Sequence, residues 1–135
     1  MPYLIDTNVL SEPAKPAPNA KLLRWLADHD AELLISVLTL GEIVKGIELM
    51  SSGKRRRAME RWFEQIEEWA TDRVLPVDAE VMRAWGAYYA KQSKRGRALD
   101  VMDSLLAATA LTHGLTIASR NLTDFPDVPG VNPWE

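Results

Sequence analysis

Four acidic residues stand beside predicted strand ends, although they lie far apart in the chain. Asp6 follows an apolar run that ends at Ile5, and Asp124 comes shortly after another apolar run. Glu42 and Asp103 lie in the first turns of two predicted helices. The amino ends of these helices face the edge of the predicted parallel sheet at which its strands end. Ligands of open α/β sheets bind at this carboxyl edge. Clustered carboxylates repel one another unless cations hold them ionised. Oxygen ligands without cysteine are typical of Mg²⁺ or Mn²⁺ rather than Zn²⁺.

Each of these acids also has a purely structural explanation. Asp6 suits a helix cap or a turn, and Asp124 suits a turn, since aspartate is common in both. The segment Thr39–Glu42 fits a capping box, in which the glutamate bonds back to the amino end of its helix. Asp100 and Asp103 both suit a helix amino end, where the dipole favours anions. Asp100 is therefore either a fifth acid near the metal or the N-cap, and we favour the cap.

The elements that must position these acids alternate between strands and helices. Strands are predicted over residues 3–5, 33–37, 74–77 and 115–119, with a possible last edge strand over 131–134. Helices are predicted over about 19–30, 39–50, 55–70, 78–90 and 100–113, with a basic loop over 91–97. Pro76 places its strand at an edge of the sheet. The alternation predicts a single α/β domain of residues 1–135, a three-layer sandwich with a central parallel sheet of four to five strands.

Composition narrows the setting and the class of protein. The 135 residues suit one domain, and 47% hydrophobic residues suffice for a full core. The absence of cysteine excludes disulfides and thiolate metal sites and fits a reducing compartment. We expect no signal peptide ahead of the strand at Tyr3 and no membrane span, because no apolar run is long enough. A cytoplasmic protein is the expectation.

The charge distribution matters more than the net charge of −3. That value argues against a nucleic-acid partner. If four of the 19 acids surround metal, however, 19 − 4 = 15 remain against 16 bases, and the balance becomes +1. The bases cluster in Lys54–Arg57 and Lys91–Arg97. Each cluster alone is better explained as a solvated helix end or loop.

Four segments in register resemble one known family. They are Leu4–Glu12, Ser36–Ile43, Asp103–Ala110, and Leu115–Asn121 with Asp124–Phe125, and the ending Gly130–Trp134 is similar too. Together they resemble the PIN-domain family, and more closely the VapC-type toxins of bacterial toxin–antitoxin pairs. The resemblance covers the whole chain in order. It implies a PIN-like fold and a metal-dependent endoribonuclease, using Mg²⁺ or Mn²⁺, that acts as the toxin of such a pair.

The resemblance also implies which residues form the site. The family's catalytic and metal-site acids fall on Asp6, Glu42, Asp103 and Asp124, and its supporting polar residues fall on Thr7, Asn8 and Asn121. Asp6 and Asp103 are expected as the main direct ligands. Glu42 is expected to bind through water or to act as a base, and Asp124 to hold a second metal or its waters. We expect the RNA-backbone contacts to include Lys54, Arg55, Arg56, Arg57, Lys94, Arg95 and Arg97.

The resemblance further implies a homodimer and a small antitoxin protein as partners. The sequence supports the dimer through aromatic residues at helical spacing, since aromatics are enriched at interfaces. They are Trp62, Phe63 and Trp69, with Ile66, on one predicted helix and Trp85, Tyr88 and Tyr89 on the next. The alternative is a monomer that buries these aromatic faces in its own core.

Three other functions stay open. A phosphatase or phosphoacceptor domain would use an aspartate nucleophile, but its usual second acid two positions on is replaced here by Asn8. An acid-lined binding module would have no catalysis at all. A metal-free ribonuclease would commonly need a histidine pair. His29 and His113 both lie near predicted helix carboxyl ends, away from the acids, which disfavours that mechanism.

Overall fold

A five-stranded parallel sheet forms the centre of the computed structural model, which describes residues 2–135. Its strands are β1 (Tyr3–Ile5), β2 (Leu33–Ser36), β3 (Val74–Leu75), β4 (Thr116–Ala118) and β5 (Gly130–Val131). The strand order is β3-β2-β1-β4-β5, and every pairing is parallel. The predicted parallel sheet is thus confirmed at five strands, with β3 and β5 at the two edges, as predicted.

Six α-helices connect the strands. They are α1 (Thr7–Ser11), α2 (Ala20–His29), α3 (Val37–Glu48), α4 (Lys54–Trp69), α5 (Ala79–Lys94) and α6 (Val101–His113). Short 3₁₀ helices cover Glu12–Ala14, Asp30–Glu32 and Leu122–Asp124. The Asn19 and Asp78 side chains cap α2 and α5 by accepting backbone hydrogen bonds, at the residues where these helices were predicted to begin. Across residues 2–135, the structure contains no helix with the length and apolar character needed to cross a membrane.

Hydrophobic residues lie on both faces of the sheet. The side chains of Leu4 and Ile5 are fully buried and point to opposite faces, as alternation along a strand requires. Ile5 packs in a core with residues of α1 to α4, whereas Leu4 packs in a second core with residues of α5 and α6. Helices therefore cover the sheet on two sides, which confirms the three-layer sandwich.

Several predicted boundaries were wrong. The last strand, predicted over 131–134, is Gly130–Val131, because the chain turns at Pro133 and Trp134. Residues 91–94 continue α5 instead of forming a loop, because Tyr88 and Gln92 extend its buried face by another turn. The helix α3 begins at Val37, directly after β2, rather than at Thr39. The Ser36 hydroxyl caps it by accepting the Leu38 amide at 3.0 Å. Thr39 therefore makes no capping box, and Glu42 lies in the second turn of α3.

The helix α1 was not predicted, and it is the element that brings the first acid into place. Asp6 is extended, with φ −74° and ψ 159°, and its side chain accepts a hydrogen bond from the Thr7 amide. This is the geometry of a helix N-cap. The chain therefore turns from β1 into a helix at Asp6 itself, while the buried Val9 and Leu10 anchor that helix on the sheet.

The displaced cap has a consequence for stability. Thr39 is fully buried, and its hydroxyl has no hydrogen-bond partner among the described residues. An unpaired buried hydroxyl costs about 1–3 kcal/mol. We expect Thr39→Val to leave the free energy of unfolding unchanged or raise it by ~1 kcal/mol, since Val keeps the branched shape. Ser36→Ala should lower it by ~1 kcal/mol, because α3 loses its cap. Urea denaturation of both variants measures these effects; a strongly destabilised Thr39→Val would show that the hydroxyl is paired.

Candidate functional site

The Asp6 carboxylate lies at the carboxyl end of the central strand and is held by donors from two chain segments. Its Oδ1 accepts the Thr7 amide at 2.8 Å. Its Oδ2 accepts the Ser119 hydroxyl at 2.7 Å and the Asn8 side-chain amide at 3.4 Å. The Asp6 backbone N–H donates to the Ala118 carbonyl at 2.9 Å, which continues the β1–β4 pairing. The orientation of this carboxylate is thus fixed by the sheet itself.

Ser119 is the residue that the sequence analysis missed. It is fully buried, it donates to Asp6, and it accepts the Asn121 amide at 3.0 Å. The Asn8 amide reaches the Ser119 hydroxyl at 3.3 Å, and its carbonyl oxygen accepts the Arg120 amide at 3.4 Å. One signal could have found Ser119: it is a hydroxyl residue directly after a strand that pairs with the strand before Asp6. Asn121 contributes through its backbone, and its side chain is exposed.

Glu42 reaches the same edge from α3. The Thr7 hydroxyl donates to Glu42 Oε1 at 3.1 Å, which joins the residue after the first acid to the second acid. This bond holds Glu42 toward the site even though its helix starts earlier than predicted. Thr7 therefore has a defined structural role between two of the predicted site acids.

Asp100 and Asp103 stand at the amino end of α6. Asp100 Oδ2 accepts the Asp103 amide at 3.0 Å, which confirms the predicted N-cap. Asp103 itself is half-buried and follows in the first turn. Asp124 ends the 3₁₀ helix Leu122–Asp124, beyond β4, and is exposed. All four predicted acids therefore lie on segments that meet the carboxyl edge of the sheet.

The acids at this edge lie close enough for their charges to affect the pKa of Asp103. The pKa of Asp103 is raised to about 6, first by burial and then by the charges of Asp100, Asp124, Asp6 and Glu42. Four carboxylates from four different segments thus act on the fifth. Like charges at such range disfavour ionisation of the group between them.

The other two half-buried acids follow the same trend, with partial compensation. Burial raises the pKa of Glu42, and the Thr7 hydrogen bond opposes this, while the Asp6 charge adds to it. Burial also raises the pKa of Asp6, against the lowering effects of its bonds to Ser119 and Thr7. The donors around Asp6 therefore offset part of the effect of burial on its pKa.

The donor chemistry of this edge fits a hard divalent cation. Every candidate ligand is a carboxylate oxygen, which suits Mg²⁺ or Mn²⁺. Yet within residues 2–135 no three Asp, Glu, His or Cys side chains form a group ready to hold a metal ion. The raised pKa values of Asp6, Glu42 and Asp103 come first from burial, and the charges of neighbouring acids add to it. A cation at this edge would remove the repulsion between these charges.

The two histidines lie away from the acids. His29 and His113 end α2 and α6, which precede β2 and β4 and so face the opposite, amino edge of the sheet. His29 stacks on Trp25 with ring centroids 4.6 Å apart. The structure thus brings neither histidine to the acids, in agreement with the sequence analysis.

The predicted RNA-contacting bases divide into paired and unpaired groups. Arg95 and Arg97 lie 2.6 and 3.7 Å from Asp127 Oδ2. Arg56 pairs with Glu48 and also donates to the Met50 carbonyl. The remaining bases form no ion pair within residues 2–135, and these are Lys54, Arg55, Arg57 and Lys94.

The raised pKa of Asp103 predicts a pH-dependent stability without metal. The folded pKa of about 6 exceeds the value of 3.8 for an ordinary aspartate. Folding therefore favours the protonated form, and stability is lost as pH rises from about 4 to 6. Asp103→Asn should stabilise the metal-free protein above pH 6 by ~1 kcal/mol, allowing for screening by solvent, and should have no effect below pH 4.

Thermal melts in EDTA across this pH range measure the difference. Glu80→Gln is the matched control, because Glu80 lies in the first turn of α5 and is exposed, outside the acid cluster. The melting temperature of Glu80→Gln should change only through the loss of a favourable interaction between the carboxylate and the helix dipole. A melting-temperature difference between Asp103→Asn and the parent that is independent of pH would contradict the coupling.

Comparison with known proteins places this arrangement in a family. The PIN domain matches residues 3–131. The chain is 34% identical to Toxin FitB of Neisseria gonorrhoeae, covering 97% of both chains. It is 33% identical to VapC ribonuclease Y4jK of Sinorhizobium fredii, covering 98% of this chain and 97% of that one. The crystal structure of FitAcB from N. gonorrhoeae superposes with a TM-score of 0.91 at 33% identity, covering 98% of this chain and 99% of the other. The chain belongs to the PIN-domain family, among the relatives of the VapC and FitB toxins.

Proposed function

We propose that this chain is a divalent-metal-dependent endoribonuclease that acts as the toxin of a toxin–antitoxin pair. The observation that carries the proposal is the convergence of Asp6, Glu42, Asp103 and Asp124 at the carboxyl edge of a PIN-domain sheet. Burial, together with the charges of neighbouring acids, raises the pKa of Asp6, Glu42 and Asp103, and a bound cation would favour their ionised forms. Relatives named as a toxin and as a ribonuclease support the same activity.

Mg²⁺ or Mn²⁺ is the proposed cofactor, and Asp6 and Asp103 are its proposed direct ligands. When bound, the cation supplies charge neutralisation for the scissile phosphate and activation of water. Ser119 and Asn8 orient the Asp6 carboxylate, so that its geometry is set before the substrate arrives. Asp124 is exposed and is proposed to hold a second cation or its waters.

Glu42 is the proposed proton acceptor for the attacking water. Burial raises its pKa, which makes it a better base than an ordinary glutamate. The Thr7 hydroxyl fixes one carboxylate oxygen at 3.1 Å and leaves the other for the proton. The chain thus provides an orienting contact for the base within the same turn that carries Asp6.

The unpaired bases are the proposed contacts for the RNA backbone. Lys54, Arg55 and Arg57 are exposed in the first turn of α4, and Lys94 is exposed at the end of α5. Arg56, Arg95 and Arg97 are already engaged in ion pairs, so their part in binding RNA requires those pairs to open. Phosphate contacts made by free bases release counterions and add salt-dependent affinity.

Cleavage assays test the activity directly. A fluorescent single-stranded RNA should be cut internally with Mg²⁺ or Mn²⁺ and should remain intact in excess EDTA. Asp6→Asn should lower the rate by several orders of magnitude, because it removes a ligand charge. Asp72→Asn is the control, since Asp72 is exposed and precedes β3 at the amino edge.

Equal cleavage by the parent and Asp6→Asn would mark a contaminating nuclease and remove the proposal. A phosphomonoester assay with the same proteins addresses the phosphatase alternative. Metal-dependent release of phosphate without cleavage of RNA would favour that alternative. Metal binding with neither activity would leave an acid-lined binding module.

The proposed partners are a second copy of this chain and an antitoxin protein. The helix α4 has no fully buried residue, and Trp62, Phe63, Ile66 and Trp69 are only partly buried. Aromatic faces of this kind are enriched at interfaces. A guanidinium from the antitoxin would pair well with the acids, because its planar fork matches carboxylate geometry.

Light scattering tests both partners. The protein alone should have the mass of a dimer, and mixing it with the product of the adjacent reading frame should give a larger complex without nuclease activity. A monomer in both samples, with full nuclease activity in the mixture, would remove the toxin–antitoxin interpretation and leave α4 as ordinary packing.

A further inference from the structure

Asp127 joins the turn before β5 to the loop between α5 and α6. It has a left-handed backbone, with φ 64°, in the turn between β4 and β5. Its Oδ2 accepts the Gln92 side-chain amide at 2.8 Å and the Arg95 guanidinium at 2.6 Å. The Arg97 guanidinium lies 3.7 Å from the same oxygen. We call Gln92, Arg95, Arg97 and Asp127 the Asp127 latch.

Gln92 gives the latch a fixed geometry. It is fully buried near the end of α5, and its Oε1 accepts the Arg97 guanidinium at 2.9 Å. Its backbone carbonyl also accepts the amides of Arg95 and Arg97, at 3.1 and 3.0 Å. Both polar atoms of a buried amide are thus committed, and such fully paired networks favour one arrangement. The loop from α5 to α6 is thereby held against the turn that contains Asp127.

The two joined loops each lead to an acid of the site. Three residues after Arg97, Asp100 caps α6 and bonds to the Asp103 amide. Three residues before Asp127, Asp124 ends its 3₁₀ helix, with its amide bonded to the Asn121 carbonyl at 3.0 Å. Asp103 and Asp124 come from different elements, namely α6 and the 3₁₀ helix that follows β4. The latch therefore joins the loop that precedes Asp103 to the turn that follows Asp124.

We propose that the Asp127 latch is a positioning device that fixes Asp124 relative to Asp103 for divalent-cation binding. The inference rests on the proposed function and extends it to residues outside the acid cluster. It also gives Arg95 and Arg97 a role other than contact with RNA. Asp127 and Gln92 act through other residues, and neither is proposed to touch the substrate.

The turn has other anchors, so cutting the latch should leave the fold intact. Phe125 is 3% exposed and packs in the core beneath α5 and α6. The Tyr88 hydroxyl donates to the Pro126 carbonyl at 2.7 Å. Asp127→Asn is the suitable variant, because Asn tolerates left-handed backbone while losing the charge that binds the two arginines.

Asp30→Asn is the matched control. Asp30 binds Arg73 at 3.1 Å and accepts the Trp69 indole N–H at 3.1 Å, so it too is a carboxylate shared by an arginine and a second donor. It lies before β2, at the edge of the sheet opposite the acids. Its loss should lower stability to a similar extent without reaching Asp124.

The experiment measures Mn²⁺ binding to the purified proteins by calorimetry, without RNA. Asp127→Asn should bind Mn²⁺ about tenfold more weakly than the parent. This is the lower end of the loss seen when a residue that supports a metal ligand is replaced. Asp30→Asn should bind Mn²⁺ as the parent does.

Hydrogen exchange without metal provides a second measurement. The amides of residues 121–125 should exchange faster in Asp127→Asn but not in Asp30→Asn. The double variant Arg95→Gln with Arg97→Gln should reproduce both effects.

Unchanged Mn²⁺ affinity in Asp127→Asn, or equal weakening in Asp30→Asn, would overturn the proposal. A parent protein that binds no Mn²⁺ would also overturn it, since no cation site would exist to be positioned. A parent that binds Mn²⁺ but cleaves no RNA would refute the proposed nuclease alone. The comparison of Mn²⁺ affinities would still decide whether the latch positions Asp124.

Discussion

Burial of the Asp6 carboxylate is the constraint on which the rest of the site depends. A carboxylate moved out of water must gain hydrogen bonds or lose its charge. The donors to Asp6 come from Thr7 and Asn8 on its own segment and from Ser119 at the end of β4. Ser119 reaches Asp6 because β1 and β4 pair with Ile5 opposite Ala118. A slip of one residue would turn Ser119 to the other face and remove a donor from a buried charge.

The same constraint explains how several acids can share one edge of the sheet. The helices α3 and α6 both begin at this edge, since each lies between strands of a parallel sheet. Their amino ends carry partial positive charge, which favours nearby carboxylates. This attraction offsets part of the repulsion. The pKa of Asp103 is nevertheless raised to about 6, first by burial and then by the charges of the neighbouring acids. The two apolar cores, one on each face of the sheet, stabilise a fold that holds this unfavourable edge.

Sequence periodicity predicted the sheet, its edge strands and the five longer helices, because each element carries its own pattern and end signals. It failed where two signals competed within a few residues. Ser36 and Thr39 both suit a helix cap. Which of them caps α3 depends on the residue at which β2 ends, and tertiary packing determines that residue. The short helix α1 has only five residues, too few to repeat a helical pattern, so its sequence was not distinct from a loop.

The candidate site was predictable in its acids but not in its supporting contacts. The acids could be placed because strand ends and helix starts define one edge of a parallel sheet. Ser119 was missed because its role depends on its partner across the β1–β4 pairing, which local sequence does not specify. The pairing of Arg95 and Arg97 with Asp127 was missed for the same reason, since about thirty residues separate the partners.

These ion pairs change where nucleic acid is expected to approach. With Arg95 and Arg97 engaged by Asp127, the predicted RNA-contacting bases that stay without an ion pair are Lys94 and three residues at the start of α4, Lys54, Arg55 and Arg57. A cavity of about 330 Å³ runs between α3 and α4, from Thr7 beside the acids to Arg55. Its walls are largely apolar and include Met59 and Trp62, so its floor suits apolar side chains, in keeping with the protein interface proposed for this face of α4. On the proposed function, the RNA backbone would contact Arg55 at the end of the cavity that lies beside the start of α4.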